Sequence, residues 1–375
     1  MNKLLTAVCA ASMFAAGCVS LKAPEKIDVN LNTDGGSGGG NGGADTGRPG
    51  QLPASGGGSW RDIATGAAGS IFLSAEKGVV FYAFDTLAYP GQPVDLVVSL
   101  QGTRDMKGLP GVTVGFFHGD DLLGAAETNE KGLAGIPWTP PKAGNYAFVA
   151  RIVDVPEGVD AAIKEVSPAP LLVAAHDPKA RLVILDLDHT VVDSSFFRVL
   201  LGGAKPMADS VKVTQRLANR YGIVYLTHRP DLLTRKSKGW LSENGYPAGP
   251  LLVSELKEAF GDSGKFKTAK LRDLRKAYPN VQIGIGDKLS DAQAYADNGL
   301  TAYLIPNCKD KPKDLRKTAQ QLRGLKGNGR LNVVDGWQGI EAGIFNGRKY
   351  PPETFARELD ARAAKLDRDN DEEDD

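Results

Sequence analysis

Residues 181–193 read RLVILDLDHTVVD, and this stretch decides the fold. The four consecutive aliphatic residues Leu182–Leu185 predict a strand that is buried on both faces of a parallel sheet. Asp186, Asp188 and Thr190 follow at its carboxyl end, which is where α/β sheets place their chemistry. A carboxylate at the end of a strand can act as a nucleophile, and a second one two residues later can supply and remove a proton. Taken alone, the stretch fits equally well a strand that runs into a polar turn.

Strands and helices alternate on the carboxyl side of this stretch, which predicts an open, mostly parallel α/β sheet. Strands are predicted at 182–187, 223–226, 251–253, 281–285 and 301–305, with helices near 207–221, 230–244, 267–278 and 290–298. Beyond Pro306 the pattern is weaker. It indicates a short strand at 332–334 and a charged helix at 351–366 that leads into an acidic tail.

Between residues 69 and 175, apolar residues recur at every second position, a period of two, in short segments that are separated by Gly, Pro and Asn turns. This pattern predicts an antiparallel β-sandwich. The runs PGVTVGFF, TNEKGLAGIPW and AGNYAFVARI resemble the bacterial immunoglobulin-like domains of exported proteins. Because the segment has no cluster of His, Cys or carboxylate residues typical of a catalytic or metal site, we expect a spacer or a module that binds a protein or a cell-envelope component.

Residues 1–18 indicate an export signal, because Lys3 precedes an apolar run that is too short for a permanent transmembrane helix. The run ends in Ala15-Ala16-Gly17-Cys18, which resembles a bacterial lipoprotein cleavage site, although Ala15 stands where a larger aliphatic residue is usual. The resemblance implies a lipid anchor on Cys18 and attachment to a membrane of the cell envelope, facing the periplasm or the exterior. The alternative is an ordinary signal peptide that is cleaved nearby and releases a soluble exported protein.

The composition fits two domains with tails. The chain has 375 residues, and its 45 basic residues balance its 45 acidic residues, which argues against a general attraction to nucleic acid. Cys308 is the one cysteine outside the leader, so a disulfide framework is excluded there. We therefore expect a signal peptide at 1–18, a Gly-rich flexible linker at 19–68, a sandwich at 69–175, an α/β domain at 178–350, and a charged helix with an acidic tail at 351–375.

Three further groups of candidate residues follow the first along the chain. Thr227 ends the second predicted strand and can donate a hydrogen bond to a phosphoryl oxygen, or it can cap the helix that Pro230 would start. Arg229 is a candidate contact for a phosphate or a head group, or else a solvated charge. Residues 264–271, GKFKTAKL, offer three lysines at the start of a helix, where one ammonium would offset the charge of a phosphoryl group.

The last group is IGDKLSD, residues 285–291, in which a strand again runs into carboxylates. Asp287 and Asp291 lie four residues apart after a glycine, and oxygen ligands of this kind suit a hard cation such as Mg²⁺. The alternative is that Ser290 and Asp291 cap the following helix.

In order and spacing, the four groups resemble the motifs of the haloacid dehalogenase superfamily and, within it, of the lipin-type phosphatidate phosphatases. The resemblance covers residues 182 to 305 and implies a Rossmann-like, mostly parallel sheet with a minimal cap behind the immunoglobulin-like sandwich. It implies that Asp186 is the nucleophile that forms an aspartyl-phosphate and that Asp188 acts as acid and base. The further roles it implies are substrate contacts from Thr190 and Arg229, catalytic support from Thr227 and Lys267 with Lys265 in reserve, and Mg²⁺ ligands from Asp186, the backbone carbonyl of Asp188, Asp287 and Asp291.

The function implied is that of a Mg²⁺-dependent phosphomonoester hydrolase, with phosphatidate at a membrane surface as one candidate substrate. The first motif is also similar to that of phosphatases acting on phosphorylated protein tails, so phosphoproteins and small soluble phosphoesters are alternatives. A non-enzymatic module anchored at the cell surface is the competing class, against which the intact Asp186, Asp188, Lys267 and Asp287 argue.

Overall fold

A computed structural model of the protein describes residues 75–195, 198–199, 203–255, 261–327 and 329–373. The predicted export signal, the lipid-anchor residue Cys18 and the Gly-rich linker lie outside the described residues. Three sheets occur within them, of which two form a sandwich and the third is flanked by helices. None of the helices in this part of the chain is long and apolar enough to cross a membrane.

The sandwich consists of two sheets with the strand orders β1-β2-β4-β7 and β3-β9-β8-β5-β6. The strands are β1 (Ala75–Glu76), β2 (Val79–Phe84), β3 (Thr86–Ala88), β4 (Val94–Gly102), β5 (Thr113–His118), β6 (Asp121–Glu127), β7 (Leu133–Trp138), β8 (Gly144–Asp154) and β9 (Ala169–Ala175). The pairs are antiparallel, as expected, except that β3 runs parallel to β9. The all-β sandwich predicted from the period of two is therefore confirmed.

The apolar residues at every second position are the ones that fill the sandwich core. Leu96, Val98 and Leu100 of β4 are fully buried, as are Val114 and Phe116 of β5. Alternate side chains of a strand point to opposite faces, so these residues meet between the two sheets. Burial of their apolar surface is the main favourable contribution to this domain.

The third sheet has the order β12-β11-β10-β13-β14-β15, and every neighbouring pair in it is parallel. Its strands are β10 (Leu182–Leu185), β11 (Gly222–Pro230), β12 (Leu251–Ser254), β13 (Val281–Gly286), β14 (Thr301–Leu304) and β15 (Leu331–Val333). The predicted parallel α/β sheet is confirmed. Because β10 lies between β11 and β13, the ends of three adjacent strands carry the sequence motifs.

Helices cover both faces of this sheet. They are α1 (Ser210–Ala218), α2 (Thr234–Glu243), α3 (Ser263–Ala277), α4 (Leu289–Asp297), α5 (Pro312–Gly324), α6 (Trp337–Asn346) and α7 (Pro352–Glu373). One face packs on α3, α4, α5 and α7, as shown by the buried Leu271, Tyr295 and Leu315. The other packs on α1, α2 and α6, through Leu217, Leu241 and similar residues. Such a doubly wound sheet buries its strands on both sides, which explains their continuous apolar runs.

The structure differs from the sequence prediction at several boundaries. Helix α2 begins at Thr234 instead of Pro230, because Pro230 is extended and pairs with Ser254 at the end of β11. Helices α5 and α6 were not predicted. Helix α7 extends to Glu373 and buries Ala356, Leu359 and Ala363 in the core of the α/β domain, so it is an integral layer of that domain.

His176 follows β9 and is buried where the sandwich continues into the α/β domain. A Cβ atom on Gly222 would lie 2.7 Å from the His176 ring, so the glycine makes room for the imidazole. Neither ring nitrogen has a hydrogen-bond partner among the described residues. Burial lowers the pKa of His176 to about 4, from an ordinary value of 6.5.

The buried imidazole predicts acid lability. As pH falls below 6.5, the unfolded chain binds a proton at residue 176 that the folded chain binds only near pH 4. Stability that is fully present above pH 6.5 is therefore lost on acidification, by roughly 3 kcal/mol for this group. Urea unfolding at pH 7 and pH 4.5 should show a smaller loss in His176→Leu than in wild type. The exposed His118, changed to Leu, is the control, and equal losses in all three proteins would contradict the prediction.

Candidate active site

The first motif forms a tight turn at the carboxyl end of the central strand. The Asp186 N–H donates to the Ile285 carbonyl at 2.9 Å, which continues the pairing of β10 with β13. The Leu187 carbonyl then accepts from three successive N–H groups, those of Thr190, Val191 and Val192. His189 is left-handed, with φ of 53°. The backbone of the turn is thus fixed by its own hydrogen bonds, with Asp186 and Asp188 at its start.

Three carboxylates of the first and fourth motifs meet in the interior. Oxygen atoms of Asp186, Asp287 and Asp291 lie within 4.8 Å of one another, and all three residues are buried. Asp287 directly follows β13, and Asp291 lies in the first turn of α4. A Cβ atom on Gly286 would lie 3.1 Å from the Asp291 Cβ, so glycine at this position allows the close approach. Asp291 is therefore part of the cluster and does not cap the helix through an exposed side chain.

Lys267 supplies the positive charge of the cluster. Its Nζ lies 2.9 Å from an Asp186 oxygen and 2.5 Å from an Asp291 oxygen, and the side chain is 1% exposed. Burial lowers the pKa of this lysine, but the neighbouring carboxylates, Asp186 foremost, outweigh burial and raise the pKa above its ordinary value. Lys265, two residues earlier on α3, is exposed, so Lys267 is the lysine that reaches the carboxylates.

The cluster carries more negative charge than Lys267 neutralises. Burial, followed by the charges of Asp186 and Asp291, raises the pKa of Asp287 to about 8. Burial also raises the pKa of Asp291. One oxygen of Asp287 and one of Asp291 have no hydrogen-bond partner among the described residues. Buried anionic oxygens with free lone pairs are the ligands that hard divalent cations prefer, so the residues fit such a cation.

Asp188 stands apart from the three-carboxylate cluster. Its two oxygens accept from Arg229 Nε at 3.1 Å and Nη2 at 2.7 Å, a bidentate ion pair. The Arg229 side chain is 2% exposed, whereas that of Asp188 is 21% exposed. The remaining guanidinium nitrogen, Nη1, donates to Ser237 Oγ at 2.9 Å. Arg229 is thus buried behind Asp188, while Asp188 keeps contact with solvent.

The two threonines singled out in the sequence are both fully buried. Thr227 Oγ1 accepts from the Arg229 N–H at 3.3 Å. Thr190 Oγ1 has no partner among the described residues, and the Thr190 carbonyl accepts from Trp337 Nε1 at 2.8 Å. Trp337 was missed in the sequence because it lies in the unpredicted helix α6, 147 positions from the turn that it supports.

Residues 183–305 match the family model described as PITM 1-3, LNS2 domain. The match confirms the lipin-like, haloacid dehalogenase-type resemblance over this segment, which runs from β10 to just past β14. No curated protein with which the sequence was compared matches it.

Three similar solved structures match the chain with low TM-scores. The D0-D1 domain of intimin matches with 14% identity and a TM-score of 0.20, covering 28% of this chain and 56% of that chain. Fibronectin(III)-like modules of CbhA from Clostridium thermocellum match with 13% identity and a TM-score of 0.17, covering 28% and 45%. The chain thus spans about half of the length of these two. The titin M10–obscurin-like 1 Ig complex matches with 21% identity and a TM-score of 0.18, covering 27% and 97%.

The carboxylate cluster predicts that a divalent cation stabilises the folded protein. Mg²⁺ should raise the melting temperature of wild type, because a ligand that binds only the folded state stabilises it by mass action. Asp287→Asn should lose most of this response and Asp291→Asn a smaller part, while Asp273→Asn, an exposed acid on α3, should keep it.

The same variants should differ when EDTA removes divalent cations. Asp287→Asn should then be at least as stable as wild type, since one of three like charges is gone. Asp291→Asn should be less stable, because it loses the ion pair with Lys267. An unchanged Mg²⁺ response in both variants, measured by thermal unfolding, would refute the assignment of the cluster as a metal site.

Proposed function

We propose that the protein is a Mg²⁺-dependent phosphomonoester hydrolase that acts through an aspartyl-phosphate on Asp186. The observation that carries the proposal is the buried group in which Lys267 lies 2.9 Å from Asp186, with Asp287 and Asp291 alongside. The family match to residues 183–305 supports the same class of reaction. A non-enzymatic surface module would have no need for this arrangement of one cation and three carboxylates.

In the first step, an Asp186 oxygen attacks phosphorus and the bond from phosphorus to the alcohol oxygen breaks. Asp188 in its acid form gives its proton to the departing alcohol. In the second step, Asp188 takes a proton from water as the water oxygen attacks phosphorus. The bond from phosphorus to Asp186 then breaks, which releases inorganic phosphate and restores the carboxylate.

The proposed role of each residue follows from its surroundings. The Lys267 ammonium lies 2.9 Å from an Asp186 oxygen and fixes the direction of this carboxylate. Asp188 lies at the solvent side on Arg229, where it can reach both a leaving group and water. Thr227 is proposed to donate to a phosphoryl oxygen, and Thr190 to support the turn and contact substrate. For Arg229, the sequence prediction of a substrate contact stays a proposal, since Asp188 and Ser237 already use three of its five N–H donors.

Asp186, Asp287 and Asp291 would hold the Mg²⁺, together with the backbone carbonyl of Asp188. When bound, the ion would offset the repulsion between the Asp186 carboxylate and a phosphate dianion. Lys267 contributes to the same balance from within the protein, because its charge lies between Asp186 and Asp291.

For the substrate, we propose phosphatidate at a membrane surface. The lipin-like match supports a lipid, and the short intervals between the motifs leave little room for a cap that would exclude a bulky head group. The predicted export and the anchor on Cys18 would place the site in the cell envelope near a membrane. A phosphate-release screen over phosphatidate vesicles, phosphopeptides, nucleotides and small phosphoesters, with and without Mg²⁺, separates this proposal from its alternatives. Release from phosphopeptides alone would identify a protein phosphatase.

The covalent mechanism predicts two different outcomes for the two acids of the first motif. Asp186→Asn should abolish turnover with the fold intact, because the amide retains the volume but not the attacking anion. Asp188→Asn should lose about 10²–10⁴-fold in turnover, since it removes the proton donor and acceptor. With an activated aryl phosphate, the first step should survive better than hydrolysis, so phosphorylated protein should accumulate.

Mass spectrometry after a rapid acid quench should find the added phosphoryl group on the peptide that contains Asp186. The double variant Asp186→Asn, Asp188→Asn is the control and should remain unlabelled. Labelling at another residue, or full steady-state activity of Asp186→Asn, would overturn the mechanism.

A further inference from the structure

The sandwich is joined to the α/β domain through the helix that follows Arg229. We propose that the sandwich is a positioning element of the active site, which fixes Asp188 through helix α2 and Arg229. This inference rests on the proposed function and extends it, because it assigns a role in the reaction to residues of the sandwich. The connection runs from Asp85 and Tyr82 through α2 to Arg229 and Asp188.

The central contact is a fully buried ion pair between the two domains. Lys238 Nζ of α2 lies 2.6 Å from Asp85 Oδ1, and the two side chains are 1% and 0% exposed. The ammonium also donates to the carbonyl oxygens of Pro170 at 2.8 Å and Ala83 at 3.3 Å, both in the sandwich. All three acceptors of Lys238 thus belong to the sandwich, although the lysine belongs to the α/β domain.

Asp85 in turn holds both domains at once. One of its oxygens accepts from the Leu172 N–H at 2.7 Å, in β9 of the sandwich. The other accepts from the Leu251 N–H at 2.9 Å, at the start of β12 in the α/β sheet. Burial raises the pKa of Asp85 and lowers the pKa of Lys238, while their mutual contact opposes both shifts. A buried pair of this kind offsets its desolvation only with further hydrogen bonds, and Lys238 has three acceptors here.

Two further polar contacts lie on the same side of this helix. Tyr82 of β2 donates to Asp231 Oδ2 at 2.7 Å, and Arg235 lies 3.6 Å from Glu76. Arg235 and Lys238 are three residues apart, which is the spacing of one face of α2, and Asp231 lies in the short 3-10 helix (Asp231–Leu233) just before it. Val80 and Tyr82 also pack on Leu232 and Leu233, the residues just before α2. The sandwich therefore contacts this segment through ion pairs, hydrogen bonds and apolar packing.

The adjacent residue of α2 carries the connection to the active site. Ser237 precedes Lys238, and its hydroxyl accepts from Arg229 Nη1 at 2.9 Å. The other two nitrogens of the guanidinium hold both oxygens of Asp188. Ser254 donates to the Arg229 carbonyl at 3.1 Å and thereby fixes its backbone as well. A shift of α2 would therefore move the guanidinium on which Asp188 rests.

The proposed reaction is sensitive to such a shift. Asp188 has to lie within hydrogen-bond reach of the leaving oxygen, and small displacements of a catalytic group lower the rate strongly. A spacer on a flexible connection would need no buried charges, because a buried ion pair seldom adds stability over apolar packing. The complete burial of Lys238 and Asp85 fits a requirement for one fixed docking of the sandwich on α2.

The leaving group of the substrate distinguishes positioning from simple loss of structure. Protonation by Asp188 matters for an alkyl phosphate, whose alkoxide is a poor leaving group, and much less for p-nitrophenyl phosphate. Tyr82→Phe, which removes one hydroxyl in the sandwich, and Ser237→Ala should each lower kcat for the alkyl ester by about tenfold. The rate of the first step with p-nitrophenyl phosphate, read from the burst of p-nitrophenol, should change less than about twofold if only Asp188 is misplaced. Lys238→Met, which removes the buried ammonium, is the most disruptive of the three variants.

Matched controls exist for both conservative variants. Among the described residues the Tyr146 hydroxyl bonds the Lys142 backbone within the sandwich, so Tyr146→Phe is the control for Tyr82→Phe, and Glu243→Ala, which changes an exposed residue of α2, is the control for Ser237→Ala. Both should behave as wild type. Equal loss on the two esters, or no loss in Tyr82→Phe and Ser237→Ala, would overturn the inference.

Hydrogen exchange supplies a readout that does not depend on catalysis. In Tyr82→Phe and Ser237→Ala, amide exchange should rise in residues 229–243 and in the turn 186–192, but not in the two controls. If wild-type protein releases no phosphate from either ester, the proposed function fails and exchange alone decides the coupling. Exchange confined to the mutated element, with the turn at 186–192 unchanged, would show that the sandwich does not position Asp188.

Discussion

The placement of the Lys267 ammonium between Asp186 and Asp291 is the contact on which the rest of the site depends. Three carboxylates buried within 4.8 Å of one another would repel strongly in a poorly solvated interior. The lysine lies against two of the three, and burial, followed by the charges of Asp186 and Asp291, still raises the pKa of Asp287. A divalent cation would offset the remaining negative charge, which is why the residues fit such an ion.

The sheet topology makes this concentration of charge possible. Parallel strands end at the same edge, and β10 and β13 are direct neighbours, so residues 100 positions apart become adjacent. Gly286 leaves room for Asp291. Backbone hydrogen bonds in the turn after β10 fix the backbone of Asp186, so its geometry does not depend on side-chain contacts. Each motif is local in sequence because each one only has to end a strand or begin a helix. The motifs come together because they lie at the same edge of the parallel sheet.

This division explains how much of the molecule could be predicted from its sequence. The sandwich, the parallel sheet and the residues that meet at its edge were predicted, because periodicity and strand-end motifs are local signals. The Asp188–Arg229 pair, the Trp337 bond to the turn, and the Asp85–Lys238 pair were not. They join residues separated by 41, 147 and 153 positions, and nothing in the local pattern around either partner indicates the other. Helix α7 was predicted as a charged helix, but its buried Ala356 and Ala363 carry no apolar signal strong enough to place it in the core.

The two buried lysines show why residue type alone does not reveal a role. Lys267 and Lys238 both lie on helices with their side chains 1% exposed, and each contacts an aspartate. Two carboxylates surround Lys267, so its pKa is raised and its charge serves the cluster. One carboxylate and two carbonyl oxygens of the sandwich surround Lys238, and burial lowers its pKa. The first lysine contributes its charge to the chemistry, whereas the second uses a complete set of acceptors to fix one domain on another. In the proposed mechanism both lysines support the same pair of acids, Asp186 directly and Asp188 through Arg229, so that proposal treats the two domains as one catalytic unit.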